Sequence, residues 1–503
     1  MAVRAAVRRS FYQDSIVLMG VAARLRSQPG VREAAALMGT PANRALLAAA
    51  GLAAPEIADA APGDLVLAVE AESDGAATAA LAAAGAMLEE RSQASIRLRR
   101  PRTLEAARGA RPDANLAVIS VPGTYATLEA RTALRHGLHV FLFSDNVPLA
   151  EEVELKRLAA SRRLLCMGPD CGTAYLAGVG LGFANVIPRG RVGCVAASGT
   201  GLQAVVSRLA ALGEGISHGI GVGGRDLSAE VGGTMTTLAL AALARDTRTE
   251  AIVVISKPAS DAARPALEAA IRTAGKPVVV CCLGATSAGA PGTWVGTLED
   301  AADAVVAHLR GTAWSPRAFG DPDAIRARAA AWGPARGTLL GLYTGGTLAH
   351  EAHLLLEPAL GPIGGNVGDG HAGGGHRILD LGADEFTVGR PHPMLDAEAR
   401  GARVREAAGD GGVGVLLLDV VLGRGAHPDP AGVLAAAVRD ARKAAGRPLL
   451  AVASVVGTEA DPQRLSVQIE RLRAADVEVL PSNAQAARFV ALALRPGLDP
   501  AAR

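Results

Sequence analysis

Two short glycine turns carry the residue types best suited to binding an anion. They are Ser198-Gly199-Thr200-Gly201 and Thr344-Gly345-Gly346-Thr347, and each follows an apolar run and precedes a helical stretch. At such a turn the first backbone N–H groups of the helix are unpaired and lie at the positive end of its dipole, so they can bind phosphate or carboxylate. The alternative is that Ser and Thr only cap these helices. Two equivalent turns favour a shared anion site, and neither continues into the Gly-Lys-Ser/Thr of a P-loop.

Three further candidates lie at the ends of predicted strands. Arg225, in GVGGRD, has the geometry to bind an oxyanion with two hydrogen bonds, and a surface ion pair with Asp226 is the alternative. Asp170 and Cys171 lie in MGPDCGT. A nucleophilic cysteine needs a neighbouring base. Because none is present locally, packing or contact with a ligand is the preferred role for Cys171.

Histidines and acidic residues concentrate in the glycine-rich segment 364–393. It contains His376, His392, Asp380 and, in a rigid Arg-Pro-His-Pro sequence, Arg390. A histidine and an aspartate beside an anion site can act as an acid, a base or an orienting pair. A loop hydrogen bond is the alternative for each histidine. No two histidines have i, i+4 spacing on a predicted helix, so we predict no metal site.

Short, unbroken apolar runs alternate with Ala/Leu-rich stretches, which predicts strands buried on both faces and an α/β chain with parallel sheets. Strand, turn and helix recur in the same order after Val192 and after Leu339, with a longer second copy. The simplest source of that extra length is the segment 364–393. We therefore predict an N-terminal α+β region (1–100; ferredoxin-like or a degenerate Rossmann half), a Rossmann-like domain (101–190) and two flavodoxin-like domains (191–320 and 336–503).

Composition excludes several classes of function. The 51 basic and 49 acidic residues leave a net charge of +2, and aromatic residues are only 3%, which argues against nucleic-acid binding. No uncharged apolar run approaches the roughly 20 residues that span a bilayer, and the N-terminus does not have the pattern of a signal peptide. Five scattered cysteines predict no disulfide framework. We expect a cytoplasmic protein.

Long motifs from residue 10 to residue 463 resemble the FdrA family, whose members are related to succinyl-CoA synthetase. The resemblance covers essentially the whole chain, and it is carried by MGPDCGT (167–173), FANVIPRGRVG (183–193), ASGTGLQ (197–203), GGRDLSAEVGG (223–233), GLYTGGTLAHEA (341–352), DLGADEFTVGRPHPMLD (380–396) and LLLDVVLGRGAHPDPA (416–431). It implies the synthetase α chain fused to the C-terminal domain of its β chain. The two turns then match the two helix starts that face the phosphorylated histidine of the synthetase, and residues 167–173 match its CoA-contacting turn.

The chain departs from the synthetase pattern where the phosphohistidine is expected. Residues 284–301 contain no histidine, and Lys257 stands near the position of the glutamate that supports it. A Gly-His-Ala-Gly sequence occurs at 370–373, in the other copy. The glycine-rich CoA loop has no clear counterpart in residues 1–60, and no ATP-grasp module is recognised. These departures argue against ATP-driven synthesis of CoA esters by this chain.

The resemblance implies a subunit of an oxamate carbamoyltransferase in allantoin breakdown, which interconverts oxalurate plus phosphate with oxamate plus carbamoyl phosphate. On this hypothesis the two turns bind phosphate, and Arg225 and Arg390 neutralise the phosphate or the oxamate carboxylate. His376 or His392, with Asp380, handles the amide proton. Lys257 stabilises charge in the transition state.

We expect no cofactor for this chain, further subunits encoded nearby, and small-molecule substrates; a homo-oligomer is left open. One alternative is an acyl-CoA synthetase that binds CoA at 167–173 and takes nucleotide from another chain. Another is a non-catalytic, ligand-sensing subunit.

Overall fold

The computed structural model describes residues 2–13, 15–96, 101–285, 289–332, 335, 337–368, 375–387, 391–407 and 409–499. The chain forms two compact units, which meet in sequence between Ala107 and Arg108. We call them unit 1 and unit 2. Arg390 lies outside the described residues.

Unit 1 is an α+β layer around a three-stranded antiparallel sheet of order β1-β3-β2. Alternate residues of the central strand pack on opposite faces, Leu65 and Leu67 against the first and third helices and Val66 against the second. Antiparallel pairing excludes the Rossmann half, whose strands are parallel. Its elements are β1 (Ala2–Arg8), α1 (Ser15–Arg26), β2 (Val31–Met38), α2 (Pro41–Ala49), a 3₁₀ helix (Pro55–Ile57), β3 (Leu65–Ala71) and α3 (Asp74–Ile96).

The Rossmann-like prediction is confirmed by a parallel sheet of order β4-β5-β6 with helices between its strands. Its buried strand residues include Val140 and Phe141, as the apolar pattern predicts. The elements here are α4 (Leu104–Ala110, across the boundary of the units), β4 (Leu116–Ile119), α5 (Gly123–Arg135), β5 (His139–Leu142), α6 (Leu149–Ser161) and β6 (Cys166–Met167).

The next sheet has seven strands in the order β13-β12-β11-β9-β10-β7-β8. Its parallel part, β10-β9-β11-β12-β13, has the 2-1-3-4-5 order of flavodoxin-like folds. A hairpin on the N-terminal side of the predicted boundary at residue 190 pairs with this sheet. The elements are β7 (Thr173–Leu176), β8 (Val179–Gly182), β9 (Arg189–Ala196), α7 (Gly199–Ala211), β10 (Ile216–Gly221), α8 (Thr234–Arg245), β11 (Ala251–Ser256), α9 (Arg264–Thr273), β12 (Val278–Cys282), β13 (Thr293–Trp294), α10 (Leu298–Arg310) and α11 (Pro322–Ala331).

The third sheet of unit 2 repeats that order. Its six strands run β15-β16-β14-β17-β18-β19, which is the 2-1-3-4-5 order with one added edge strand. Two flavodoxin-like domains are therefore confirmed. The elements are β14 (Thr338–Tyr343), α12 (Gly346–Leu360), β15 (Gly364–Gly365), β16 (Arg377–Asp380), α13 (Asp384–Thr387), α14 (Ala397–Glu406), β17 (Val413–Val421), α15 (Pro430–Ala445), β18 (Leu450–Val456), α16 (Leu465–Arg473), β19 (Glu478–Leu480) and α17 (Asn483–Leu494).

One hydrophobic cluster joins the two flavodoxin-like domains. It includes Leu202 of α7 and Val305 of α10 from the first copy, with Leu348 of α12 and Phe489 of α17 from the second. Burial of this shared core fixes the two copies against each other, so that the N-termini of α7 and α12 meet. In the part of the chain that the structure describes, no helix is both long and apolar enough to cross a membrane.

Candidate functional site

The paired turns, residues 198–201 and 344–347, lie against each other where β9 and β14 end. Ser198 caps α7, because its Oγ accepts a hydrogen bond from the N–H of Gly201 at 2.8 Å. The same Oγ lies 2.6 Å from Thr347 Oγ1. A Cβ atom on Gly345 would lie 3.0 Å from the Thr200 side chain, so only glycine permits this approach without displacement. The structure thus brings together the two turns that the sequence singled out.

Not every donor of the paired turns is open to a ligand. The N–H and hydroxyl of Thr344 and the N–H of Gly345 all donate to the carboxylate of Asp419, each at 2.9 Å. Thr344 and Gly345 are therefore corrected from anion-binding residues to partners of a protein carboxylate. Gly201 is corrected as well, because its N–H donates to Ser198 Oγ in the cap of α7. The first N–H groups of each helix have no partner within it. The phosphate prediction now rests on the N–H groups of Gly199, Thr200, Gly346 and Thr347.

Asp419 also forms the most deeply buried ion pair at the site. Its Oδ1 lies 2.6 Å from Arg400 Nη1, and neither side chain has more than 2% of its surface exposed. Burial lowers the pKa of Arg400, whereas the negative charge of Asp419 acts to raise it. The pair lies behind the second turn and holds it in place from the β17 side.

Asp380 reaches the same place from the end of β16. A Cβ on Gly346 would collide with Asp380 Oδ2, and Asp380 Oδ1 accepts a hydrogen bond from the N–H of Gly382 at 2.9 Å. Burial raises the pKa of Asp380 to about 6, although the Gly382 bond and the charge of Lys257 act to lower it. Lys257 follows β11 of the other flavodoxin-like domain and is exposed. The two predicted residues therefore interact electrostatically across the two domains.

His392 approaches Asp380 from the other side of Gly382. A Cβ on Gly382 would lie 2.8 Å from His392 Nε2 and 3.2 Å from Asp380 Oδ1, so both atoms border one small volume. The imidazole also packs on the Phe183 ring, with centroids 5.9 Å apart. Burial lowers the pKa of His392 to about 4, against the charge of Asp145, so the ring is neutral at pH 7.

His376 lies at the opposite edge of the sheet, and its predicted pairing with Asp380 is wrong. Its Nδ1 accepts a hydrogen bond at 3.0 Å from the N–H of Leu339, at the start of β14. The parallel register places Tyr343 opposite Asp380, at the far end of the same strands. Asp380 follows His376 by four residue steps along the strand, a distance of about 13 Å.

The remaining predicted residues have partners within the protein. Arg225 donates to Glu152 Oε2 at 2.7 Å and to the Val147 carbonyl at 2.8 Å, so neither the oxyanion site nor the pairing with Asp226 is what the structure contains. Burial raises the pKa of the Cys171 thiol to about 12, which agrees with packing and not with nucleophilic chemistry. Asp170 lies in the same turn, where its N–H donates to the Ser144 carbonyl.

Sequence reasoning missed His350, on the first turns of α12. Its Nε2 is buried and has no hydrogen-bond partner among the described residues. Burial, followed by the charges of Lys257 and His353, lowers the pKa of His350 to about 4. The signal was present in GGTLAHEA, since a residue four places after Gly346 lies on the same helix face.

Comparison with known proteins gives the family. Residues 342–493 match the family described as CoA-ligase, and residues 1–101 match the "AllF, heavy metal-associated domain". The chain is 38% identical over 494 residues to the uncharacterized protein YahF of Escherichia coli, covering 95% of this chain and 96% of YahF. The chain belongs to the YahF family.

More distant relatives of this YahF-family chain are ligase subunits. It is 29% identical over 204 residues to the succinate–CoA ligase [ADP-forming] subunit alpha of Staphylococcus epidermidis, which is 40% of this chain and 64% of that subunit. Among solved structures, it matches a dinucleotide-forming acetyl-coenzyme A synthetase of Ca. Korarchaeum cryptofilum at 16% identity and TM-score 0.28, over 76% of this chain and 82% of that one. It also matches ATP citrate lyase of Methanothrix soehngenii at 17% identity and TM-score 0.33, over 44% and 42%.

The residues of unit 1 do not fit a heavy-metal ion, despite the description of the matching domain. Soft metals are bound by thiolate and imidazole ligands. Residues 1–101 contain neither cysteine nor histidine. The segment after β1 is held instead by Asp64, which accepts hydrogen bonds from Arg9 and from the N–H of Ser10.

A buried carboxyl group beneath the site predicts a pH-dependent stability. Glu351, on α12, accepts hydrogen bonds from the N–H of Leu298 and from Asn483, yet burial raises its pKa to about 7 from a usual value near 4.5. A carboxyl whose pKa is raised on folding adds stability below pH about 4.5, and this stability is lost as the pH rises to about 7. Glu351→Gln should remove a pH-dependent term on the order of 3 kcal/mol.

Unfolding by urea at intervals from pH 5 to pH 8 checks this expectation. The wild-type curve should decline more steeply with pH than that of Glu351→Gln. Glu129→Gln, at an exposed position on α5, is the control and should follow the wild type. Equal slopes for all three proteins would contradict the prediction.

Proposed function

We propose that the chain is an enzyme subunit that binds the phosphate group of an acyl or carbamoyl phosphate at the paired turns. The observation that carries the proposal is the contact between Ser198 and Thr347, which holds two helix N-termini face to face. Two positive dipole ends aimed at one place favour a doubly charged anion more than one end alone. The exposed cation of Lys257 adds to this field.

The other groups of the site also suit an acyl or carbamoyl phosphate, which is a mixed anhydride with phosphoric acid. Its transfer needs a leaving phosphate, an electrophilic carbonyl carbon and an acceptor for the proton of the incoming nucleophile. His392 is neutral at pH 7 and can form hydrogen bonds to a substrate, and the pKa of Asp380 is about 6, so Asp380 can exchange a proton near neutral pH. His392 and Asp380 are our candidates for orienting the carbonyl end of the substrate.

An acyl-CoA synthetase is the first candidate function. The CoA-ligase family match and the resemblance to the succinate–CoA ligase α subunit favour it. CoA would then bind at residues 167–173, beside Asp170 and Cys171, and nucleotide would come from another chain. Calorimetric titration with CoA tests it directly, and micromolar binding is the expected result.

An oxamate carbamoyltransferase is the second candidate. It is favoured by the absence of histidine from residues 284–301, where a phosphohistidine relay would need one, and by the AllF match of residues 1–101. The amide nitrogen of oxamate would attack the carbamoyl carbon. A C–N bond forms, the C–O bond to phosphate breaks, and the nitrogen loses its proton.

Phosphate release from carbamoyl phosphate, with and without oxamate, separates the two candidates. The chain is assayed alone and then co-expressed with its genomic neighbours, since we propose a cytoplasmic complex with further subunits. Oxamate-dependent release supports the transferase. Release that depends on CoA and an acyl phosphate supports the synthetase. Absence of both would contradict the proposal.

The anion site itself predicts a large effect of filling the paired turns. Valine at Gly199 and Gly345 places a Cβ 3.2 Å from Thr173 Oγ1 and another 3.0 Å from the Thr200 side chain, which crowds the two helix N-termini proposed to bind the anion. We expect the double variant to bind phosphate at least about tenfold more weakly by calorimetry, a loss of about 1.4 kcal/mol. Gly20→Val, in open space on α1, is the control. Unchanged affinity in a folded double variant would refute the site.

A further inference from the structure

His350 lies on the face of α12 that carries the second of the paired turns. It follows Gly346 by four residues and Thr347 by three, so the three share one side of the helix. Side chains on a helix tilt toward its N-terminus, which directs the imidazole back toward the turn. His350 therefore lies one helical turn behind the N–H groups proposed to bind phosphate.

The Nε2 atom of His350 is buried without a hydrogen-bond partner in the described part of the chain. Leaving a buried polar atom unpaired destabilises the folded state. Buried unpaired atoms are uncommon in native proteins, and they concentrate where a water, an ion or a catalytic role accounts for them. A substrate group placed at the turn would supply the partner that the protein does not.

The elements packed against this face bring a specific set of charges. Lys257, at the end of β11, and His353, one turn further along α12, both act on His350 electrostatically. Lys257 also acts on Asp380, which borders Gly346. On the β12 side, Gly284 packs against this face of α12. A Cβ added to Gly284 would lie 3.3 Å from the side chain of Leu354, which follows His350 by four residues. One cation is thus shared by an imidazole and a carboxyl at the helix start.

We propose that His350 is the proton acceptor for the incoming nucleophile, an inference that rests on the function proposed above. The nucleophile, an amide N–H or a thiol S–H, attacks the carbonyl carbon of the acyl or carbamoyl phosphate. A C–N or C–S bond forms and the C–O bond to phosphate breaks. The proton of the nucleophile passes to His350 Nε2, and the electron pair of the broken C–O bond leaves with the phosphate.

Binding of the anion prepares His350 for this role. In the free chain, burial and Lys257 keep the imidazole neutral, with its lone pair available. A phosphate dianion beside Lys257 offsets the lysine charge and attracts a proton to the imidazole, so the pKa of His350 rises toward the working pH. A base whose pKa approaches the working pH is the more effective one. The site would therefore take up a proton as phosphate binds.

Proton uptake is measured by titrating the full chain with inorganic phosphate in two buffers of different ionisation enthalpy, at pH 6. The wild type should take up more protons than His350→Gln. The single variant Lys257→Met should exceed His350→Gln by less than the wild type does. His308→Gln is the matched control, because in the described structure the exposed His308 side chain bonds only to Thr293 at the edge strand β13. It should behave as the wild type.

Turnover gives the second measurement. In the preparation that releases phosphate, His350→Gln should bind phosphate within about threefold of the wild type but release it at least about 100-fold more slowly, as loss of a general base predicts. Equal proton uptake and equal release in wild type and His350→Gln would overturn the inference while leaving the anion site intact. A wild type that binds no phosphate would overturn the anion site and the inference together.

Discussion

Replacing Asp419 by alanine should lower the free energy of unfolding by about 3–5 kcal/mol, the loss expected when a buried charge is left without its partner. Arg400 has no other acidic partner among the described residues, and its side chain is almost fully buried. The variant would also leave the N–H groups of Thr344 and Gly345 without an acceptor. Both losses fall on the second of the paired turns.

Urea unfolding followed by tryptophan fluorescence measures this effect, since Trp294, Trp314 and Trp332 all lie in unit 2. Asp440→Ala is the control, because it removes an ion pair with Arg405 that is largely exposed, and it should cost less than about 1 kcal/mol. Asp419→Asn keeps an acceptor oxygen and should lose less than Asp419→Ala. A loss for Asp419→Ala no larger than that of the control would contradict the structural role of the pair.

The fold could be predicted because its signals are local. Every residue of the run Val413–Val421 is buried, as expected of a strand covered on both faces. The repeat after Val192 and Leu339 predicted two like domains, and both sheets have the same strand order. The hairpin at Thr173–Gly182 was harder to place, because its partner strand β10 begins more than thirty residues later. The residues of the hairpin carry no pattern that indicates which strand it pairs with.

The site was only partly predictable, for a related reason. The paired turns could be predicted because each consists of four consecutive residues, so its signal is local. The partners of Arg225 and of Thr344 are more than seventy residues away along the chain, so no spacing reveals them. His376 and Asp380 are close in sequence, yet an intervening strand carries them to opposite edges of the sheet. Nearness in sequence correctly indicated candidate residues at the ends of strands. It was misleading for His376 and Asp380, because these two residues lie at opposite ends of one strand.

Lys156→Met is the second substitution with a large expected effect. Lys156 Nζ lies 2.8 Å from Glu152 and 2.9 Å from Asp226, and none of the three side chains is more than 1% exposed. Nζ also donates to the Val222 carbonyl. Burial lowers the pKa of Lys156, but the carboxylates of Asp226 and Glu152 outweigh it and raise the pKa overall. The lysine is therefore charged and balances two buried acids.

Methionine keeps most of the side-chain volume and removes the charge that the two carboxylates share. Glu152 then keeps only Arg225 as a cationic partner, and Asp226 keeps none among the described residues. We expect a loss of about 3–5 kcal/mol in the free energy of unfolding. The loss should be smaller at pH 5 than at pH 8, because carboxyl groups in a buried site without a cation favour the protonated form. Arg131→Ala is the matched control, since Arg131 pairs with Glu154 on the exposed side of the same helix, α6.

This cluster joins the Rossmann-like domain to the loop after β10, because Glu152 and Lys156 belong to α6 whereas Asp226 caps the start of α8 by accepting from Met235 and Thr236. Glu152 also holds Arg225. If the cluster positions the domain carrying residues 167–173, Lys156→Met should weaken ligand binding at that turn more than phosphate binding at the paired turns. Equal weakening at both places, or a stability loss as small as that of Arg131→Ala, would contradict this role.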